Sequence, residues 1–175
     1  MSQPLPDVPV ELTAMIGTVS IRTANASDVE HLSFYFTGLC PASRNKRFMG
    51  ARTDFERVAA ECMPKPNRPG RFTLLAELCR HGQCEIVGET HYAFDTTAGH
   101  GEFAISVADD FRRTGLGFMM MTAMEQRALA LGHDMIAGET ARTNVEMRGL
   151  ARKAGFVDTG HGDWQSVHLA KRLSR

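Results

Sequence analysis

A chain of 175 residues with 43% hydrophobic content is the size of one globular domain and can fold around its own core without disulfides or a structural metal. Its 20 basic and 20 acidic side chains cancel to a formal net charge of zero, which excludes bulk electrostatic recruitment of nucleic acid or of an anionic membrane surface. There is neither a basic segment leading into an apolar one, as in a signal peptide, nor a run of about 18 apolar residues, so a cytoplasmic protein with no membrane partner is expected.

Residues Met1 to Pro9 carry three prolines and little periodicity, and residues 1–17 are expected to form an N-terminal arm ahead of a single domain over 18–175. Thr18 to Arg22 reads as a short strand. Asn25-Ala26-Ser27-Asp28 then supplies helix-capping side chains before Val29, Leu32 and Phe36, which recur at helical intervals. Pro41 to Phe48 reads as a short helix begun by proline, and Asp54 to Cys62 as another, closed by a loop containing Pro64, Pro66, Pro69 and Gly70. Arg71 to Cys79 and Cys84 to Phe94 are strand-like runs joined by a hairpin at Arg80-His81-Gly82-Gln83, and Glu102 to Val107 follows as a third antiparallel strand.

The next segment is the most specific in the chain. After the strand ending at Val107 comes Arg112-Arg113-Thr114-Gly115-Leu116-Gly117, and after that a helical pattern from Phe118 to Leu131 with Met121, Met124, Ala128 and Leu131 on one face. A glycine turn between a strand and a helix lets backbone N–H groups and the positive end of a helix dipole converge on one anion. The glycines permit close approach and a positive φ, and Arg112 and Arg113 add charge. No Lys-Ser or Lys-Thr follows the glycines, and the Gly-x-Gly-x-x-Gly order of dinucleotide folds is absent. The reading is a pyrophosphate cradle. Asp134 to Glu139 is a buried-strand candidate, Asn144 to Lys153 a helix closed by Gly155, and Phe156-Val157 with Trp164 to Leu169 a terminal pair of strands. The sum is an α/β (mixed α+β) fold with helices on both faces of a mixed, mainly antiparallel sheet of six or seven strands.

Other features read as structure. Cys40, Cys62, Cys79 and Cys84 lack C-x-x-C spacing and are expected as free thiols, and no metal site is expected. Met119, Met120, Met121 and Met124 fit core packing. Arg44, Lys46 and Arg47 fit a solvated helix face, and His161-Gly162-Asp163 and His168 fit the decoration of a hairpin better than the lining of a cleft.

Taken together, the element order and the turn resemble the GNAT superfamily of acyl-CoA-dependent N-acyltransferases. Arg112, Gly115 and Gly117 match its Q/R-x-x-G-x-G/A signature, and Asn144 through Lys153-Ala154-Gly155-Phe156 is similar to its second cofactor-side segment. Pro41 to Phe48, Gly101 to Val107, and Gly138-Glu139-Thr140 leading to Leu150 through Phe156 resemble the acetyltransferase domain of bacterial Pat-type protein lysine acetyltransferases, with Asn45 and Met49 in places where those domains often carry Tyr and Phe. The resemblance implies acetyl-CoA as donor and an amine acceptor, either a protein lysine or a small molecule such as a polyamine, amino sugar or antibiotic. It also allows a homodimer. A non-catalytic acyl-CoA-binding sensor is the alternative of a different class.

It further implies that the backbone of Ile105 to Val107 pairs with pantetheine amides, that Arg112, Arg113, Thr114, Gly115, Leu116 and Gly117 bind the pyrophosphate, and that Asn144 holds the cofactor arm or the junction of diverging strands. A lysine-like amine has an unperturbed pKa of about 10.4, so a base is needed. Glu102 holds a place where several protein-acetylating members carry their base, and Glu139, near the end of the next strand, is the runner-up. The tyrosine with which many small-molecule members protonate the leaving thiolate has no counterpart: its place is Ala151, and no tyrosine follows Tyr92.

Overall fold

The computed structural model describes residues 8–10, 18–50, 52–65 and 70–174. Most of the expected N-terminal arm, together with Pro66 and Pro69 of the expected loop, lies outside them. Among the described residues, eight strands form one sheet: β1 (Val8–Val10), β2 (Thr18–Thr23), β3 (Arg71–Arg80), β4 (Gln83–Asp95), β5 (His100–Val107), β6 (Met135–Ala141), β7 (Val157–Asp158) and β8 (Ser166–Arg172). Their spatial order is β1-β2-β3-β4-β5-β6-β8-β7, and every pairing is antiparallel except β5 with β6. The count exceeds the six or seven read from the sequence because Val8–Val10 adds an edge strand to β2.

Five α-helices cover the sheet: α1 (Val29–Gly38), α2 (Pro41–Phe48), α3 (Phe55–Cys62), α4 (Leu116–Ala130) and α5 (Val145–Lys153). The capping signal read at Asn25 to Asp28 acts where the sequence put it, and two further caps appear. Asn25 and Asp28 form a capping box on the short 3-10 turn before α1, Asp54 caps α3, and Asn144 caps α5 by accepting from the Met147 N–H. The last strand starts later than expected, at Ser166, because Asp163 accepts from the N–H groups of both Gln165 and Ser166 and holds Trp164 in a turn.

Two apolar layers sandwich the sheet. On one side Leu116, Met120, Met121, Met124 and Ala128 of α4, all fully buried, pack with Ala151 of α5. On the other, Leu32 and Phe36 of α1 pack with Phe55 and Ala59 of α3. β3 serves both layers: Phe72, Leu74, Ala76 and Leu78 face α4, while Leu75 faces α1. That dual burial is why Leu75 breaks the alternation of Phe72, Leu74, Ala76 and Leu78 with the polar Thr73 and Glu77.

One expectation is corrected here. Cys79 and Cys84 are not free thiols but a disulfide, since β3 and β4 bring them directly opposite one another across the hairpin. Residues equally far from the centre of a two-residue turn are cross-strand neighbours, so the signal was present in the spacing. Cys40 and Cys62 are free, and burial pushes the Cys62 thiol up to about 12.

Gly101 on β5 is the tightest backbone approach in the α4-side layer. A β-carbon there would run into the ring and hydroxyl of Tyr92, which is buried against Phe72 and bonded to Nδ1 of His133. Gly101→Ala is expected to cost about 1–3 kcal/mol of stability by overpacking, read as a lower urea midpoint at unchanged m-value.

Candidate active site

β5 and β6 pair only at Gly101 with Ile136 and Glu102 with Ala137. Beyond that point β6 is bound along its length by β8, while β5 stays with β4 as far as Val107, so the two parallel strands part like the limbs of a V. The edge of β5 from Phe103 to Val107 therefore has no strand partner on its β6 side among the described residues. Gly138 is what allows the vertex to be filled: a β-carbon there would stand 2.7 Å from Cε1 of Phe103, whose ring lies across the gap and packs on Phe156 at 5.4 Å.

The V opens into a cavity of about 820 Å³. Strand alternation sends Phe103, Ile105 and Val107 toward the α4 and α5 side and Glu102, Ala104 and Ser106 toward the α1 side. Ile105 and Val107 line the cavity from one limb, Gly138 and Glu139 from the other, and Asn144 from the start of α5. Asn144 is engaged within the protein, with Nδ2 donating to Thr140 and Oδ1 accepting from the Met147 N–H.

The glycine turn forms one wall. After a 3-10 turn at Asp109–Phe111, Arg113 takes φ 61° and Gly115 takes φ 93°, both left-handed, and Gly115 becomes the N-cap of α4 without a capping side chain. The first N–H groups of a fifteen-residue helix thus face the cavity at Gly117 and Phe118, the geometry that favours an anion. Gly117 also lets α4 approach α5, since a β-carbon there would meet Leu150 at 3.2 Å. Arg112 and Arg113 line the cavity, whereas Thr114 and Leu116 turn their side chains inward. The Thr114 hydroxyl donates to the Phe111 carbonyl, and Leu116 is fully buried.

Arg112 is held by the protein. Its guanidinium contacts Asp109 at 2.8 Å, the Ser43 hydroxyl, and Glu146 at 3.8 Å. Asp109 also accepts from the Cys40 N–H and from Ser43, which ties the joint between α1 and α2 to the turn. Burial works to raise the Asp109 carboxyl, but the bonds from Ser43 and Cys40 and the charge of Arg112 outweigh it and hold it below the usual range. Lys46 is not a free surface charge either: it bridges α2 to α5 through Glu146 at 2.8 Å, and both residues line the cavity.

Two carboxylates face the cavity from opposite limbs. Glu102 is well exposed, with His100 Nε2 at 4.0 Å, and Glu139 is half-exposed, with His168 Nε2 at 3.5 Å. His168 was expected as hairpin decoration. It reaches the cavity because β8 pairs with β6 in the register Glu139 to His168, which puts both on one face.

The model of the acetyltransferase (GNAT) family matches residues 42–156, well over half of the chain and all of the cavity lining except the part from β8. The chain belongs to the GNAT acetyltransferase family. A curated acetyltransferase of Pseudomonas aeruginosa is 26% identical over 156 residues, covering 89% of this chain and 83% of the relative. Among solved structures, the GNAT domain of Streptomyces lividans PAT superimposes with a TM-score of 0.81 at 18% identity, covering 95% of this chain and 97% of that one. RimL, a ribosomal L7/L12 α-N-protein acetyltransferase solved with coenzyme A, does so with a TM-score of 0.71 at 14% identity, covering 95% and 98%. These two share the GNAT fold with this chain.

Within this GNAT framework the sequence reading missed one buried polar cluster. Glu89, fully buried in β4, accepts from Arg47 at 2.5 and 3.1 Å and from the Ser106 hydroxyl at 2.8 Å, and the Tyr35 hydroxyl lies 3.0 Å from Ser106. Arg47 is therefore no solvated residue. Burial opposes its charge, but the Glu89 carboxylate overrides this and keeps it protonated. Burial, reinforced by Glu89, raises the Tyr35 hydroxyl. Next along the same face, Thr73 donates to the Cys62 carbonyl and bonds to His91 Nδ1 at 2.9 Å, and burial lowers the His91 ring below its usual value. A carboxylate in the middle of an apolar strand was the available signal, since it needs a buried cation. α5 carries no acid toward the cleft at Ala151, which is fully buried.

The pair is side-chain buried on both sides, 9% exposed at Arg47 and 0% at Glu89. Glu89→Leu alone leaves the guanidinium uncompensated and is expected to lose about 3–5 kcal/mol, while Arg47→Met with Glu89→Leu together recovers most of it. Urea unfolding of the two variants beside the wild type measures both effects, and equal losses would contradict the pairing.

Proposed function

We propose that this chain transfers an acetyl group from acetyl-CoA to a primary amine, a protein lysine in the first instance, by direct attack within a ternary complex. The observation that carries the reading is the parting of β5 and β6 beside the Gly115 turn. One cavity holds an unpartnered strand edge, a helix N-terminus whose N-cap is a glycine, and two exposed carboxylates on the diverging strands, Glu102 and Glu139. The family membership supports the donor, and the fold shared with a PAT domain and a ribosomal-protein acetyltransferase supports a protein acceptor.

In this reading the N–H groups at the start of α4 and the Arg112–Arg113 charges take the pyrophosphate, and the free edge of β5 takes the pantetheine amides as an added strand. With the pyrophosphate at the turn that follows Val107, the arm runs from Val107 toward Phe103 and brings the thioester to the vertex. Glu102, on the α1 side of the vertex, draws the proton from the acceptor ammonium directly or through one water. The neutral nitrogen then forms the C–N bond, and a backbone N–H of β5 meets the developing oxyanion. Collapse breaks the C–S bond, the thiolate leaves without a dedicated acid, and the second proton of the attacking nitrogen passes to it through water.

Calorimetry with acetyl-CoA, and thiol release with lysine peptides and small amines, test the two halves. Gly115→Val forces a β-branched residue into φ 93° and is expected to weaken acetyl-CoA binding by about tenfold or more with a smaller effect on Tm, because space for the side chain is present but the turn must reshape. Glu102→Gln is expected to lower kcat by about 10²-fold or more with acetyl-CoA affinity little changed. Unchanged turnover would remove Glu102 from the role, and acetyl-CoA binding without turnover on any acceptor would leave a sensor instead.

A further inference from the structure

The aromatic pair at the vertex has no part in the steps above. Phe103 lines the cavity at the point where the limbs part, its ring reaches over Gly138, and it packs on Phe156, which is buried at the end of α5. Consider what lies around an acyl group delivered there, an argument that rests on the proposed course of the donor arm. Straight ahead the way is shut, because β5 and β6 are joined at Glu102–Ala137 and Gly101–Ile136. The α1 side carries Glu102 and Glu139 and is the side from which an amine must come. The arm itself fills the way back. The remaining direction, toward α4 and α5, is occupied by the rings of Phe103 and Phe156.

We propose that Phe103, seated over Gly138 and backed by Phe156, is the residue that limits the length of the acyl group. Gly138 is part of the device, since any side chain there would push the Phe103 ring out of its seat. The substrate class is accordingly short-chain acyl-CoA, with acetyl preferred. Replacing Phe103 by a small residue opens room on the one side where neither strand pairing nor the acceptor competes.

The test uses the affinities of acetyl-, butyryl- and hexanoyl-CoA for the wild type, Phe103→Leu and Phe103→Ala, each referred to that variant's affinity for free coenzyme A so that a general loosening of the cleft cancels. The wild type is expected to favour acetyl-CoA over hexanoyl-CoA by about tenfold or more, and Phe103→Ala to shift that ratio by about tenfold or more toward hexanoyl, given what each misplaced methylene costs in a filled pocket. Phe103→Leu is expected to admit butyryl-CoA first, and it decides the question if the alanine variant does not fold. A wild type indifferent to chain length, or a folded variant with an unchanged ratio, overturns the role of Phe103. A wild type that binds free coenzyme A and none of the three thioesters overturns it as well. If the wild type binds neither coenzyme A nor any of the thioesters, the donor reading fails and this inference falls with it.

Discussion

A strand edge inside a protein carries a row of N–H and C=O groups that must be paired with something. From Phe103 to Val107, β5 meets that demand on its β4 side only, because its pairing with β6 ends at Glu102 and the two strands diverge. Most of the surrounding structure follows from this divergence. α5 can begin at the end of β6 only because that end is free of β5, and the Gly115 turn can face a cavity only because the ends of the two strands stand apart. In the proposed reading an amide-bearing arm completes β5 in the way a peptide completes a sheet edge elsewhere.

The two faces of the sheet have different tasks around that opening. The α4 and α5 face is apolar and rigid, with methionines and Leu116 packed without exposure beneath β4 and β5. The α1 face is polar at depth. There Glu89 joins α2 to β5 through Arg47 and Ser106, Tyr35 brings in α1, and Asp109 joins the start of α2 to the glycine turn. The helices that would meet an acceptor are thus fixed to the strand and turn assigned to the donor. An ion pair with no water around it has few alternative geometries, which makes it a good spacer and a poor source of net stability.

Local signals were legible in the sequence because their causes are local. Asn25 and Asp28 cap the turn before α1, and the Gly115 turn sits between a strand and a helix. The methionine face of α4 followed from spacing alone, although the buried set runs through Met120 rather than Leu131. Arg47 was misread because its partner lies on another element, and a helix so rich in charge looks solvated until β4 is placed beneath it. His168 was misread for a related reason: which face it takes depends on the register of β8 against β6. The parting of β5 from β6 has no sequence signature of its own, since both strands read as ordinary strands.

The Cys79–Cys84 bridge closes a hairpin that is already held by its own ladder, at the end of β3 and β4 beside Thr18. Cross-linking residues only five apart constrains an unfolded chain by about 2 kcal/mol, the low end for such bonds. The cleft is framed by β5, β6, α4 and α5, none of which the bridge touches. Reduction of the bridge is therefore a loss felt at the far end of the hairpin, away from the strands and helices that frame the cleft.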